Sequence, residues 1–257
     1  ATVTAQVFSC LYCLWELRRL PLLRVEKSDW VWAPKTLRKL LRLGVPMLLA
    51  NGITAAGGVV LQLVVNGYGS IFVAGFTTAH KIFGLIEQVG MSLGNAMSTY
   101  SGQNKGAGNY GRIREGVRKC CAMTVSAAAL LSVVILIFGR SIISAIVTEA
   151  QVEVIQIAYQ YLSIMVVCLF MLYLLFLYRS TLQGMGDTFT PMLSGFLELV
   201  ARIGCAFLLP VFMGYTGVFL AEVMAWVFAI ALLIPTYYVR IHRLCPKAVP
   251  APEATPE

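Results

Sequence analysis

Charge is what this sequence has least of. Only 12% of its 257 residues are Asp, Glu, Lys or Arg, about half the ~25% of a soluble domain. Mean hydropathy is +0.78. This excludes a soluble globular domain and points to an integral membrane protein with spans of ~20 apolar residues. Histidine is nearly absent, with His80 and His242 the only two and far apart. No GxSxG, HExxH or Walker loop occurs. Gly106, Ala107 and Gly108 have no strand before them and no Gly-Lys-Ser/Thr after them, so they do not read as a phosphate cradle. The chain therefore reads as a non-enzyme without cofactor or metal. Cys10 and Cys13 form the single CxxC among seven cysteines. A structural zinc site needs four ligands, so the cysteines read as small packing residues.

Two further absences bear on the ends and on partners. Residues 3–15 are apolar but too short to cross a bilayer core of ~30 Å. No basic segment precedes them and no cleavage site follows, which excludes a signal peptide. Residues 1–17 read as the end of a truncated transmembrane helix, and the chain as a fragment. The net charge of +8 is spread over short segments between apolar runs, not over a basic patch on a soluble fold. That excludes nucleic acid as a partner and makes the lipid bilayer the partner.

What is present is a series of long apolar runs. Residues 18–42 form a basic linker, with Trp30 and Trp32 as interfacial anchors and an amphipathic helix over 35–42 that starts at Pro34. Residues 43–240 hold six predicted full spans, at about 43–68, 71–103, 117–138, 149–183, 192–213 and 218–239. Ser70 is expected to cap the second, Gly139 to end the third, and Thr148 with Gln151 to form a capping box for the fourth. Gly184 or Gly186 takes a left-handed cap, and Thr190 caps the fifth span with Pro191 at its first position. Residues 241–257 read as a disordered cytoplasmic tail. Seventeen of the twenty Lys and Arg fall on one side of this layout, Arg179 among them. Only Arg140 lies on the other. The positive-inside rule then makes the basic side and the C-terminus cytoplasmic, in a multi-pass protein of the inner (plasma) membrane.

The candidate functional residues lie within these spans. His80, Gly84, Glu87, Met91 and Gly94 form one polar line on the second span, and Lys81, Gln88, Asn95 and Gly102 recur every seven residues beside it. Ionisable groups at membrane depth mark a protein interior or an aqueous cavity. The face is either an internal polar network or the wall of a substrate cavity with Glu87 as a proton- or cation-responsive group. Gly90, Gly94, Ser98 and Gly102 recur every four residues as a small-residue packing seam. Glu198 and Arg202 sit four apart on the fifth span, as an ion pair or a gate. Glu222 has no partner in its own helix and is expected near the outer interface. The fourth span carries Gln156, Tyr159, Gln160, Tyr161, Tyr173 and Tyr178. Its tyrosines are either interfacial anchors or, where deeper, stacking partners for a substrate. Tyr159, Gln160 and Tyr173 are the substrate candidates, and Arg179 is expected at the cytoplasmic surface near Asp187.

One family resemblance emerges from the loops. Gly102-Gln103-Asn104-Lys105-Gly106-Ala107-Gly108-Asn109 resembles the GQN-x-GAGN signature of multidrug and toxic compound extrusion (MATE) transporters. Leu182 to Thr188, with Gly184, Gly186, Asp187 and then Pro191, resembles the LxGxGDT…P element after that family's tenth helix. Glu198 to Arg202 followed by Gly214-Tyr215-Thr216-Gly217 is similar to its eleventh helix and turn. The resemblance covers about residues 36–243. It implies an all-α membrane fold, in which six full transmembrane helices and a truncated one form the C-terminal lobe of a twelve-helix, two-lobe transporter. It further implies efflux of small amphipathic or cationic substrates, by a proton- or sodium-driven antiporter that rocks two lobes, with the missing N-terminal lobe as partner.

The departures limit what carries over. Residues 43–68 contain no acid, and the fourth span has only Glu153 at its mouth, so the sodium site of some branches is not supported. An aspartate used by another branch lies in a helix absent from this chain. A lipid-linked saccharide flippase of the same superfamily is the alternative, and it predicts a basic cavity. Lys81 and Arg202 against Glu87, Glu198 and Glu222 leave a slightly acidic one. A seven-helix receptor is the alternative of another class, and residues 1–15 do not supply the first helix it needs.

Overall fold

A computed structural model describes residues 2–19, 32–146 and 152–244. Trp30, the Thr148–Gln151 capping pair and residues 245–257 lie outside the described residues. All regular structure among the described residues is helical. The chain divides into two units, Ala1–Leu41 and Arg42–Glu257.

The first unit contains α1 (Thr2–Arg19) and residues 34–41 of α2 (Pro34–Asn66). Arg19 stacks over the Trp15 ring at 3.6 Å, which suits an aromatic and a cation sharing one exposed face. Helix α2 begins at Pro34, where the missing N–H costs nothing. The amphipathic stretch 35–42 is not a separate element but the first turns of this helix.

The second unit holds the rest of α2 with α3 (Ser70–Gly106), α4 (Tyr110–Ile146), α5 (Val152–Val167), α6 (Leu169–Gly184), α7 (Phe189–Met213) and α8 (Tyr215–Leu244). Helix α3 packs on α4, α5 and α6, while α8 packs on α7 and α6. Helix α2 meets α7 where Gly195 faces the backbone of Ala50. Four helices, α2, α4, α7 and α8, are long and apolar enough to cross a membrane. The α5–α6 pair makes a fifth if taken as one bent span. Helix α3 is not among them, because His80, Lys81 and Glu87 interrupt its apolar run.

Several local expectations change. The predicted fourth span is broken at Cys168, with a 52° bend between α5 and α6. No proline lies there. The Ser132 hydroxyl of α4 instead donates to the Val166 carbonyl, and a side chain inserted into the helical ladder is a known cause of kinks. Helix α4 starts at Tyr110, so Arg112, Arg114, Arg118 and Lys119 lie on the helix and not in a loop. Gly139 does not end α4. It lies inside the helix, beside the Tyr159 ring. Ser70 makes no side-chain cap; Gly69, at φ 90°, precedes the helix.

The α3–α6 contact is built on small residues. A Cβ added at Gly90 would meet the Tyr173 ring at 2.4 Å, at Gly94 the Phe176 carbonyl at 3.1 Å, and at Gly184 the Ser98 carbonyl at 2.2 Å. The seam therefore lets two backbones touch, in the manner of small-xxx-small pairs. Aromatic rings fill the centre: Phe76, Tyr161 and Phe219 lie 5.0–6.4 Å apart, and Phe83 stacks on Trp226 at 6.1 Å. Such pairs add about 0.5–1.5 kcal/mol each beyond their burial.

Candidate substrate and ion-coupling site

Two helix ends carry the sequence motifs, and both close in the same way. At the end of α3, Asn109 N–H donates to Asn104 O at 2.8 Å and Gly108 N–H to Lys105 O at 3.0 Å. At the end of α6, Asp187 N–H donates to Leu182 O at 2.9 Å and Gly186 N–H to Gln183 O at 2.8 Å. These are paired six-to-one and five-to-two bonds, the Schellman pattern, with glycine at the left-handed position. Gly108 and Gly186 have φ of 73° and 77°. Gly186 thus takes the left-handed cap, while Gly184 serves close packing. Asn104 is buried and donates to Tyr100 O at 2.8 Å. Gln103 and Gly106 are exposed. The motifs touch: Lys105 Nζ donates to the Met185 carbonyl, and Gly102 lies against the Gly184 backbone.

Asp187 completes this end. It is 5% exposed. Its carboxylate accepts Thr190 N–H at 3.2 Å and Thr190 Oγ1–H at 2.6 Å, and pairs with Arg240 at 2.8 Å. Helix α7 therefore starts at Phe189, with Asp187 as its capping acceptor and Thr190 as donor. Thr190 is not the cap, and Pro191 sits buried in the first turn. Arg179 is not at this surface either.

Arg179 instead points to the bundle interior. Its Nη2 reaches Glu198 Oε2 at 2.7 Å, while Arg202 Nη2 reaches Glu198 Oε1 at 2.9 Å. Arg179 also donates to Ser194 Oγ at 3.3 Å. Glu198 is 4% exposed, so both carboxylate oxygens are committed to guanidiniums in a dry setting. Arg202 is four residues on, one turn along the same face of α7, and Arg179 comes from α6.

Around this triad lies a cavity of about 130 Å³, bordered by Glu87 and His80 of α3, Arg179 of α6, Glu198 and Arg202 of α7 and Glu222 of α8. Glu222 is 5% exposed and accepts Tyr161 Oη–H at 3.0 Å. It is an interior group, not one at the outer interface. Glu87 is half-buried, and among the described residues no Lys or Arg lies within ion-pair distance of it. A second cavity of about 400 Å³ adjoins through His80, Arg202 and Glu222, and adds Lys81 with Gln62, Gly58 and Ala55 of α2. Arg179 cancels the acidic excess expected from sequence: three glutamates now face Arg179, Arg202 and Lys81. Among the described residues no His, Cys, Asp and Glu cluster has the arrangement of a metal site.

The other predicted residues lie elsewhere. Gln88 and Asn95 are exposed on α3 and border neither cavity. Tyr173 packs over Gly90 and donates to Ile86 O at 2.6 Å. Tyr159 donates to Leu136 O at 3.0 Å, with Arg140 4.8 Å above its ring. Gln160 bonds Thr216 at 3.3 Å and accepts from Tyr215 at 3.0 Å. Sequence reasoning put Arg179 at the cytoplasmic surface, counted Tyr161 among the fourth-span tyrosines without singling it out, and misplaced Glu222. An arginine within the apolar run 169–184 was the signal available for the first.

The MatE family profile matches residues 46–208. The chain is 28% identical over 125 residues to a probable multidrug resistance protein, YoeA, of Bacillus subtilis, covering 49% of this chain and 27% of that protein. It is 28% identical over 110 residues to another, YpnP, covering 43% of this chain and 25% of that one. Among solved structures, a MOP-superfamily transporter from Pyrococcus furiosus superposes with a TM-score of 0.73 at 17% identity, over 79% of this chain and 45% of its own. The outward-facing conformation of a multidrug resistance MATE transporter superposes at 0.72 with 18% identity, over 80% and 45%. The chain spans about half the length of the solved transporters it matches, and its alignments cover about a quarter of each Bacillus relative.

Proposed function

The chain belongs to the MatE family, and on that premise we propose that residues 43–240 form one lobe of a membrane exporter of small amphipathic or cationic compounds. The lobe works against an N-terminal lobe of the same polypeptide, linked through residues 18–42. Its rocking exchanges substrate for protons or sodium ions, and the basic ends of its helices face the cytoplasm.

The observation that carries this reading is Glu87. It borders the interior cavity shared with Glu198 and Glu222, yet it alone of the three accepts neither a cation nor a phenol among the described residues. An unpaired carboxylate is the group whose charge changes most readily when a proton, a sodium ion or an amine enters. Glu198, held by two arginines, positions the wall.

The test is export by the complete polypeptide in proteoliposomes. An imposed proton or sodium gradient should drive efflux of a fluorescent organic cation. Glu87→Gln should lower the gradient-driven rate at least about tenfold, the effect of losing ~1.4 kcal/mol of coupling. Efflux that keeps its wild-type dependence on both gradients would remove Glu87 from the coupling role.

A further inference from the structure

A separate cavity of about 400 Å³ lies between α4, α6 and α8, at the end where the two Schellman turns sit. Its wall carries Arg114 and Arg118 of α4, Tyr178 of α6 and Tyr237 and Tyr238 of α8. None of these residues borders the interior cavities around Glu87.

Its chemistry is that of an anion site. Arg114 and Arg118 stand four apart, on one face of α4. Both are exposed, and neither makes an ion pair among the described residues. The one acid on the wall, Glu115, is bound by Lys119 at 2.7 Å. The aromatic floor is unusually polar. Tyr178 and Tyr238 hydroxyls lie 3.5 Å apart. Tyr237 is 1% exposed, and its hydroxyl is buried without a hydrogen-bond partner. That hydroxyl is closed off beneath the floor, whereas Tyr238, 53% exposed, presents its own to the cavity.

The position selects the anion. The cavity opens at the basic end of the bundle, where Lys105, Arg112, Lys119, Arg240 and Arg243 also lie. One turn deeper, Val125 of α4 is exposed and Ile234 of α8 half-buried, so an apolar surface continues from the basic rim. Basic pockets between transmembrane helices at such an end suit anionic lipid headgroups.

We propose that this cavity binds the phosphate of an anionic phospholipid, with Arg114 and Arg118 as its charge partners and the Tyr238 hydroxyl as a hydrogen-bond donor. The acyl chains run along the exposed faces of α4 and α8. The bound lipid fastens α4 to α8, two helices otherwise in slight contact.

The experiment uses the complete polypeptide, delipidated in detergent and titrated with phosphatidylglycerol, phosphatidylcholine or inorganic phosphate, with the thermal unfolding midpoint as readout. Phosphatidylglycerol should raise the midpoint and phosphatidylcholine should not. The double variant Arg114→Gln/Arg118→Gln should weaken the apparent phosphatidylglycerol affinity about tenfold or more, as expected for charged hydrogen bonds. Tyr238→Phe should weaken it by a smaller factor. Arg112→Gln/Arg243→Gln removes the same charge outside the cavity wall, leaves the Glu115–Lys119 pair intact, and should leave the affinity little changed. An equal response to inorganic phosphate would overturn the lipid as the source of the anion. An equal loss in the Arg112/Arg243 control, or no loss in the Arg114/Arg118 variant, would overturn the site itself.

Discussion

The carboxylates of Asp187 and Glu87 lie in two regions of the bundle, one saturated with partners and the other, half-buried, left open. At the helix ends, Asp187 accepts two bonds from Thr190 and one from Arg240. Every donor is within reach, and the result is a closed turn. At the interior cavity, Glu198 is saturated in the same manner by Arg179 and Arg202, while Glu87, across the same space, is left open. Burial alone does not mark a functional acid. The distinction lies in whether its oxygens already have partners.

The largest expected effect tests the saturated acid of the interior. Glu198→Gln leaves two guanidiniums at 12–16% exposure without a full counter-charge. Breaking such a buried arrangement costs about 3–5 kcal/mol, so the thermal midpoint of the complete protein and its folded yield should both fall sharply. A midpoint near wild type would show that water reaches the triad and would erase the contrast with Glu87.

The next effect concerns the contact that holds both regions together. Gly184→Ala places a methyl 2.2 Å from the Ser98 carbonyl. Neither backbone can yield locally, and overpacking of this kind costs about 1–3 kcal/mol. Gly102→Ala, where the nearest atom is 3.3 Å away, should cost clearly less in the same unfolding assay. Equal losses would mean that the α3–α6 seam is set by something other than backbone approach.

A smaller effect is expected at the helix end. Asp187→Ala removes a cap worth about 0.5–2 kcal/mol. Its ion pair adds little, because Arg240 is 42% exposed and such pairs contribute roughly 0–1 kcal/mol. Arg240→Gln should therefore be milder than Asp187→Ala, and raised salt should narrow the difference between wild type and Arg240→Gln.

The smallest structural effect should come from Glu87→Gln, within about 0.5 kcal/mol of wild type, because no paired charge is broken. Its cost should appear in gradient-driven export alone. A destabilisation as large as that of Glu198→Gln would place Glu87 among the structural acids.

Much of the fold was legible along the chain. Long apolar runs locate α2, α4, α7 and α8, because hydrocarbon demands continuous apolar length. The ends of α4 were not legible. Arg112 to Lys119 resemble a loop in hydropathy, but a helix can continue past the hydrocarbon into the charged interface, since backbone bonding does not depend on lipid. The break at Cys168 was hidden for a related reason: no proline or glycine lies at the break, and the hydroxyl that bonds the Val166 carbonyl beside it comes from α4. At the candidate site, Glu87, Glu198 and Arg202 were readable as ionisable residues in apolar helices. Tyr173 and Tyr159 were equally conspicuous, yet their hydroxyls are taken up by backbone carbonyls of neighbouring helices.

By itself the sequence determines the membrane class, the family motifs and the Glu198–Arg202 pair, because each depends on composition or on spacing within a single helix. Residues four apart meet whatever surrounds the helix. Tertiary structure alone decides that Arg179 turns inward to Glu198, that Glu222 faces Tyr161, and that Gly184 packs while Gly186 turns. Those outcomes depend on how deeply and at what rotation α6, α7 and α8 pack against α3 and one another. A helix's own periodicity leaves both quantities free, and only the close contacts of the assembled bundle set them.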